Sequence, residues 1–303
     1  MAFFLGYTEA KNYTQNVSPG GEVAAWVSLA QVERTLSYEN LRTYFKTHVR
    51  PLFSRKRSTN QVRADVIFSE TEPCKNGAEL LTRALLDSDI PSDCVELNQL
   101  APKKGNRPTH HISYFLSNHQ NVPGAAFWCE RSECYVVNGE YLRFWHSKAQ
   151  VQRLLKDYGV PTFSSDPHLL ANKKDISAWM IKSEKHGVKN RQLLETSRQS
   201  SPWDTYLEQR ADEKHYTEVK LGYVSGQILT DNGSFCVSPK LRRSLHRIQE
   251  RIGLEVFSAD IFWDKTDSFY IVDVNPAPAF FNNKKARHAF AAYIRLIERF
   301  HLK

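Results

Sequence analysis

The sequence predicts a mixed chain of helices and strands, with a small α/β unit in its N-terminal half. Three observations carry that expectation. Between residues 63 and 118, apolar strand-like runs alternate with a helix-period segment, as in a small unit of parallel strands joined by helices. Two later segments carry explicit helix start and stop signals. Near the C-terminus, two apolar strands flank a short polar turn. The composition of the 303 residues, 41% hydrophobic and 24% charged, suits a globular chain of two or three packed units.

In chain order, residues 1–60 hold one clear helical stretch, SLAQVERTLSYENLRTYFKTHV. RADVIFSE then reads as a strand, NGAELLTRALLDSDIP as a helix and HHISYFLSN as a second strand. AAFWCERSECYVVNGEYLRFW has mixed strand and loop character. In HSKAQVQRLLKDYGVP, Ser147 and Gln150 form a capping box. Val151, Leu154, Leu155 and Tyr158 share one face of that helix, and Gly159 with Pro161 ends it. AWMIK is a short buried strand ending on Lys182. TYLEQRADEKHYTEVKLGYVSGQIL gives two strands around a polar hinge. PKLRRSLHRIQERIG is an amphipathic helix with Leu241, Leu245, Ile248 and Ile252 inward and Gly253 as its cap. No internal repeat or low-complexity tract interrupts this order.

LEVFSADIFW and SFYIVDVN flank DKTD, a natural hairpin. With Asp264 paired to Asp267, Asp260 falls opposite Ile271 and Ser258 opposite Asp273. Alternation then puts Asp260, Asp273 and Asn275 on one face, and Ala259, Ile261, Trp263, Tyr270, Val272 and Val274 on the other. Two neighbouring carboxylates repel unless a cation lies between them. Hard oxygen ligands, one of them neutral, suit magnesium, which takes one or two carboxylates plus phosphate oxygens. Taken alone, the hairpin face reads as solvated.

Charge and cysteine usage narrow the classes. A net charge of +8 favours anionic partners. The densest basic patch, RPLFSRKRSTNQVR, includes Arg55, Lys56 and Arg57, but no RNA motif, zinc finger or heptad accompanies it, which disfavours nucleic acid. Five scattered cysteines lack zinc-site spacing and read as free thiols. No apolar run reaches membrane-spanning length, and MAFFLGYTEAKNY lacks the form of a signal peptide. The expectation is a cytoplasmic protein.

Five segments, in order, resemble the ATP-grasp superfamily, in particular its RimK-like and D-alanine–D-alanine ligase-like carboxylate–amine ligases. HSKAQVQRLLKDYGVP resembles the opening of the ATP-binding domain, WMIK the lysine strand, YLEQRADE the adenine hinge and TEVKLGYVSGQI the strand before the metal hairpin. FYIVDVNPAPAF is similar to the closing Glu/Asp-x-Asn-Pro-x-Pro-Gly-Phe, with Ala279 in the glycine's place. Lys148, on its own an ordinary first-turn helix residue, is by this resemblance the first nucleotide lysine. Lys182 is the second, beside the α- and β-phosphates. Glu208, Gln209 and Arg210 form the hinge, and Asp212 or Glu213 accepts the ribose hydroxyls. Asp260, Asp273 and Asn275 hold one or two Mg2+ ions, and Mn2+ fits the same ligands.

The resemblance also implies an N-terminal α/β (pre-ATP-grasp) domain, 1–137, and two α+β subdomains, 138–206 and 207–303, that clasp ATP. The implied reaction joins a carboxylate to an amine through an acyl phosphate and releases ADP and phosphate. Its substrates are small molecules or peptides, with a hint of anionic character from the net charge, and homodimers are common among such proteins. Two departures stand out. The phosphate loop, KSEKHGVKNRQ, has Gly187 as its single glycine. Where an arginine often steadies the acyl phosphate, Ser258 and Lys220 stand instead. Lys220, Arg242 and Arg243 are the candidates for that charge. A small-molecule kinase and a non-catalytic binding protein of the same fold are the rival readings.

Overall fold

The computed structural model describes residues 16–17, 23–24, 39, 43, 62–69, 72–100, 112–119, 121–132, 134–144, 147–163, 179–183, 191–193, 205–209, 215–230, 235–264 and 268–300. The chain divides into two compact units, Met1–Gln61 with Arg295–Lys303, and Val62–Ile294. In the first, β1 (Asn16–Val17) pairs antiparallel with β2 (Val23–Ala24). Glu39 and Thr43, inside the expected first helix, are helical. Arg55, Lys56 and Arg57 lie outside the described residues.

The second unit begins with a parallel sheet of order β4-β3-β5-β6. Its strands are β3 (Ala64–Phe68), β4 (Cys94–Glu96), β5 (Ile112–Leu116) and β6 (Tyr135–Val137). Every residue of β3 and β5 is buried, as befits parallel strands covered on both faces. Helix α1 (Glu72–Leu86) joins β3 to β4. The mixed segment after β5 is more regular than its sequence suggested. Helix α2 (Val122–Arg131) buries Val122, Ala126 and Cys129 at helical spacing, and α3 (Gly139–Phe144) follows β6. Aromatic and small residues hid that period, and tertiary burial of one narrow face decides it.

Helix α4 (Lys148–Asp157) has both halves of the expected capping box. Tyr158, placed inward by the sequence pattern, is its exposed C-cap, and Gln152 is buried instead. A three-stranded antiparallel sheet of order β8-β7-β9 follows, from β7 (Trp179–Ser183), β8 (Arg191–Leu193) and β9 (Thr205–Gln209). The boundary expected between 206 and 207 falls inside β9.

The last sheet has order β11-β10-β12-β13, all antiparallel. Its strands are β10 (Thr217–Val224), β11 (Gln227–Thr230), β12 (Val256–Trp263) and β13 (Phe269–Asn275). The sequence suggested one strand after the hinge. The structure has two, because Ser225 and Gly226 both take positive φ, the conformation of a tight two-residue hairpin turn. Helix α5 (Pro239–Ile252) buries Leu241, Leu245, Ile248 and Ile252 and ends at Gly253, whose φ of 75° is left-handed. Helix α6 (Lys284–Phe300) closes the described chain. No described helix is long and apolar enough to cross a membrane.

Candidate active site

The hairpin register differs from the sequence expectation. Trp263 pairs with Phe269 and Ile261 with Ile271, and then a β-bulge intervenes, so that Asp260 stands directly opposite Asp273 and Ser258 opposite Asn275. Val272 is the extra residue. Without it, regular alternation from Ile271 would turn Asp273 onto the face of Ala259, which is 1% exposed in the core. The bulge returns Asp273 to the side of Asp260, a common use of bulges beside functional sites.

Tyr270 and Val272, expected on the core face, are on the acids' side as well, Tyr270 because the turn register pairs it with Phe262 and Val272 because it is the bulged residue. There they pack with Phe163, Tyr216 and Phe262, Phe163 stacking on Tyr270 at 4.5 Å.

β13 is an edge strand, and the chain around α4 satisfies its open backbone. Gln152 Nε2 donates to the Val272 carbonyl at 2.8 Å, and the Ile271 N–H donates to the Pro161 carbonyl at 2.8 Å. Thr162 Oγ1 donates to the other end of Gln152. These bonds fix α4 along the bulge, so Lys148 in its first turn reaches Asp273, with Nζ 3.4 Å from Oδ2. On the opposite flank Lys220 pairs in register with Asp260, Nζ lying 3.4 Å from Oδ1. The Lys148 pair is the more enclosed, with side chains 16% and 27% exposed. Lys220 is 59% exposed, so its pair contributes at most about 1 kcal/mol.

Asn275 is fixed from two directions. Its Oδ1 accepts the N–H of Ala277 at 3.0 Å, the bond by which an Asn turns its own backbone, and Asn118 Nδ2 at 3.4 Å. Asn118 follows β5, at the C-terminal end of a parallel strand, where such sheets place their sites. Sequence reasoning gave it no role, because its partner Asn275 lies 157 residues away. Asn138, just past β6, was missed as well. It is 2% exposed, with φ of 61°, and its Oδ1 accepts the N–H groups of Glu255 and Val256 at 2.7 and 2.9 Å. Its Nδ2 donates to the carbonyls of Val256 at 2.7 Å and Pro276 at 3.4 Å. Tyr141 of α3 is fully buried; burial, and next the charge of Asp273, push its hydroxyl well above the ordinary tyrosine range.

The structure therefore gathers Lys148, Lys220, Asp260, Asp273 and Asn275. It does not bring Arg242 and Arg243 to them. Both are exposed on α5, and neither pairs with Asp260 or Asp273; Arg242 bears instead on the hydroxyl of core residue Tyr223. Lys182 lies in β7 opposite Tyr206 and Arg191, with Glu208 opposite Met180 and Gln209 opposite Trp179. Arg210, Asp212 and Glu213 lie outside the described residues. Among the described residues no three His, Cys, Asp or Glu side chains cluster as a metal cage. Two carboxylates and one carboxamide fit a cation that takes its remaining ligands from water and phosphate, which is magnesium's habit.

No protein-family profile and no curated protein matches the sequence. Solved structures do match. A RimK domain ATP-grasp protein from Sphaerobacter thermophilus superposes with a TM-score of 0.56 at 14% identity, covering 77% of this chain and 98% of its own. The chain has the ATP-grasp fold. D-alanine–D-alanine ligase from Aeromonas hydrophila gives a TM-score of 0.56 at 12% identity, with 78% of this chain and 99% of that one covered. The ATP-grasp ligase PsnB, in complex with a minimal precursor, Mg and ADP, gives 0.58 at 12% identity, with 78% and 97% covered. Within this fold the Asp260–Asp273 hairpin lies in the C-terminal sheet, and the parallel sheet of β3 to β6 precedes the two antiparallel ones.

Proposed function

We propose that this ATP-grasp chain is an ATP- and Mg2+-dependent ligase that joins a carboxylate to an amine. The observation that carries the reading is the bulge-set opposition of Asp260 and Asp273, with Asn275 two pairs further along and a lysine on each acid. The ligases of the same fold, among them one solved with Mg and ADP, support it. Bound Mg2+ would neutralise phosphate charge.

The chain's own groups do the rest. Asp260, Asp273 and Asn275 hold the ion, while Lys148 and Lys182 place fixed positive charge along the phosphates. Glu208, Gln209 and Arg210 line the adenine hinge, and Asp212 or Glu213 takes the ribose hydroxyls. A substrate carboxylate oxygen attacks the γ-phosphorus and breaks its bond to ADP. An amine nitrogen then attacks the acyl carbon, a C–N bond forms, phosphate leaves and the nitrogen gives up a proton. Lys220, the cation nearest Asp260, is placed to balance charge on the acyl phosphate. Substrates are small molecules or peptides, as the precursor bound by PsnB illustrates for that enzyme.

Calorimetric titration of ATP with and without Mg2+, into wild type and Asp273→Ala, tests the reading. Magnesium-dependent binding lost in the variant is expected. Wild type that binds no nucleotide would instead mark a non-catalytic member of the fold. ADP release without amine, leaving a stable phosphorylated product, would mark a kinase.

A further inference from the structure

Each of the three side chains proposed for the metal is already held, through one oxygen, by a donor of the chain itself. Lys148 holds Asp273, Lys220 holds Asp260 and Asn118 holds Asn275, each at 3.4 Å. Two carboxylates and two ammonium groups leave no net charge. The carboxamide oxygen, accepting also from Ala277, has both lone pairs engaged. Lys148 cannot retreat far with its backbone, because the capping box and the Gln152–Val272 bond pin α4 beside β13. A lone divalent cation entering here meets two ammonium groups and two carboxylates whose charge those groups already balance.

We infer that these donors keep the metal ligands closed and that the ligands open only to metal and nucleotide together, the anionic phosphates drawing Lys148 and Lys220 off the acids. The inference rests on the nucleotide reading above. Lys148, the more enclosed of the two lysines, is the principal block, and Lys220, largely exposed, swings away at small cost. Coupling between two ligands is reciprocal, so the closed state weakens each ligand bound alone. Coupling in the wild type is not diagnostic, because phosphates themselves ligate metal. The decisive feature is the sign of the effect when Lys148 loses its charge. Removing it must strengthen binding of metal alone and weaken binding of nucleotide alone.

The experiment measures Mn2+ by electron paramagnetic resonance and ADP by calorimetry, each alone and together, on the full chain. The proteins are wild type, Lys148→Met, Lys148→Arg and Lys220→Met, with thermal unfolding as the check of folding. An opposite charge within reach shifts a carboxylate equilibrium by roughly one to three powers of ten. Lys148→Met is therefore expected to bind Mn2+ alone about tenfold or more tightly than wild type, and ADP alone more weakly. Lys148→Arg should behave as wild type, and exposed Lys220→Met should shift Mn2+ in the same direction by less. Damage to the fold would weaken both ligands together. Wild type that binds Mn·ADP, with Mn2+ affinity raised in neither methionine variant, overturns this inference and leaves the nucleotide reading standing. Wild type that binds ADP neither alone nor with Mn2+ overturns both.

Discussion

At the scale of single residues, Asn138 does the most with one side chain. Left-handed φ is tolerated by asparagine better than by most residues, and the carboxamide offers an acceptor and donors on one planar head. Glu255 and Val256 at the start of β12, and Pro276 just past Asn275, are all tied to it. Asn138→Ala removes the acceptor for two N–H groups and keeps a Cβ in a strained conformation. We expect a loss of about 2–4 kcal/mol in urea unfolding. Asn138→Asp keeps the acceptor and should recover part of that loss. Equal stability of the alanine variant and wild type would show that water replaces the carboxamide there.

The element that matters most to the site is β13 with its bulge, and α4 is what holds it. Gln152 is buried because the Val272 carbonyl, displaced from the ladder, needs a donor. Gln152→Leu fills similar space and leaves that carbonyl without one, so stability should fall by about 1–3 kcal/mol. Magnesium-dependent ATP binding should weaken with it, since Lys148 and the bulge share this support; unchanged binding in a destabilised variant would separate the two.

Elements of this kind also mark where the sequence stops being legible. The capping box at Ser147, the glycine stop at Gly253 and the inward face of α5 are local signals, and the structure agrees with each. The bulge has no local signal. Counting outward from the turn puts Asp260 opposite Ile271, whereas the real hairpin gains one residue at the turn, where Trp263 pairs with Phe269, and a second at Val272. Asn118 and Asn138 were invisible for a related reason. Their partners lie 157 and 117 residues away, so nothing in their own neighbourhoods announces a role.

Across the second unit, Val62–Ile294, the core is rich in ionisable groups held neutral by burial, and this sets how the protein answers alkali. Burial pushes the Cys129 thiol up to about 11 and the Tyr223 hydroxyl up to about 12. Tyr114, Tyr135, Tyr141 and Tyr293 are raised further, burial again being the main cause, and Glu255 adds to it for Tyr135 and Tyr293. Each group is an acid whose folded pKa lies above its unfolded value, so the unfolded chain loses its proton first. The folded state then binds more protons than the unfolded one, and stability falls as pH rises. For Cys129 the contribution is whole below pH 9.0 and is lost as pH climbs through about 11; for Tyr223 the window runs from 10.0 to about 12. Each group costs up to about 1.4 kcal/mol per pH unit inside its window. The melting temperature should therefore hold steady up to the unfolded thiol's pKa and drop with increasing slope beyond it. Tyr223→Phe should flatten that slope in the upper window alone. Tyrosinate absorbance supplies the independent check: in the folded protein it should lag behind that of the unfolded chain. If the two titrate together, water reaches these hydroxyls in the native state, and the alkaline slope must come from the surface instead.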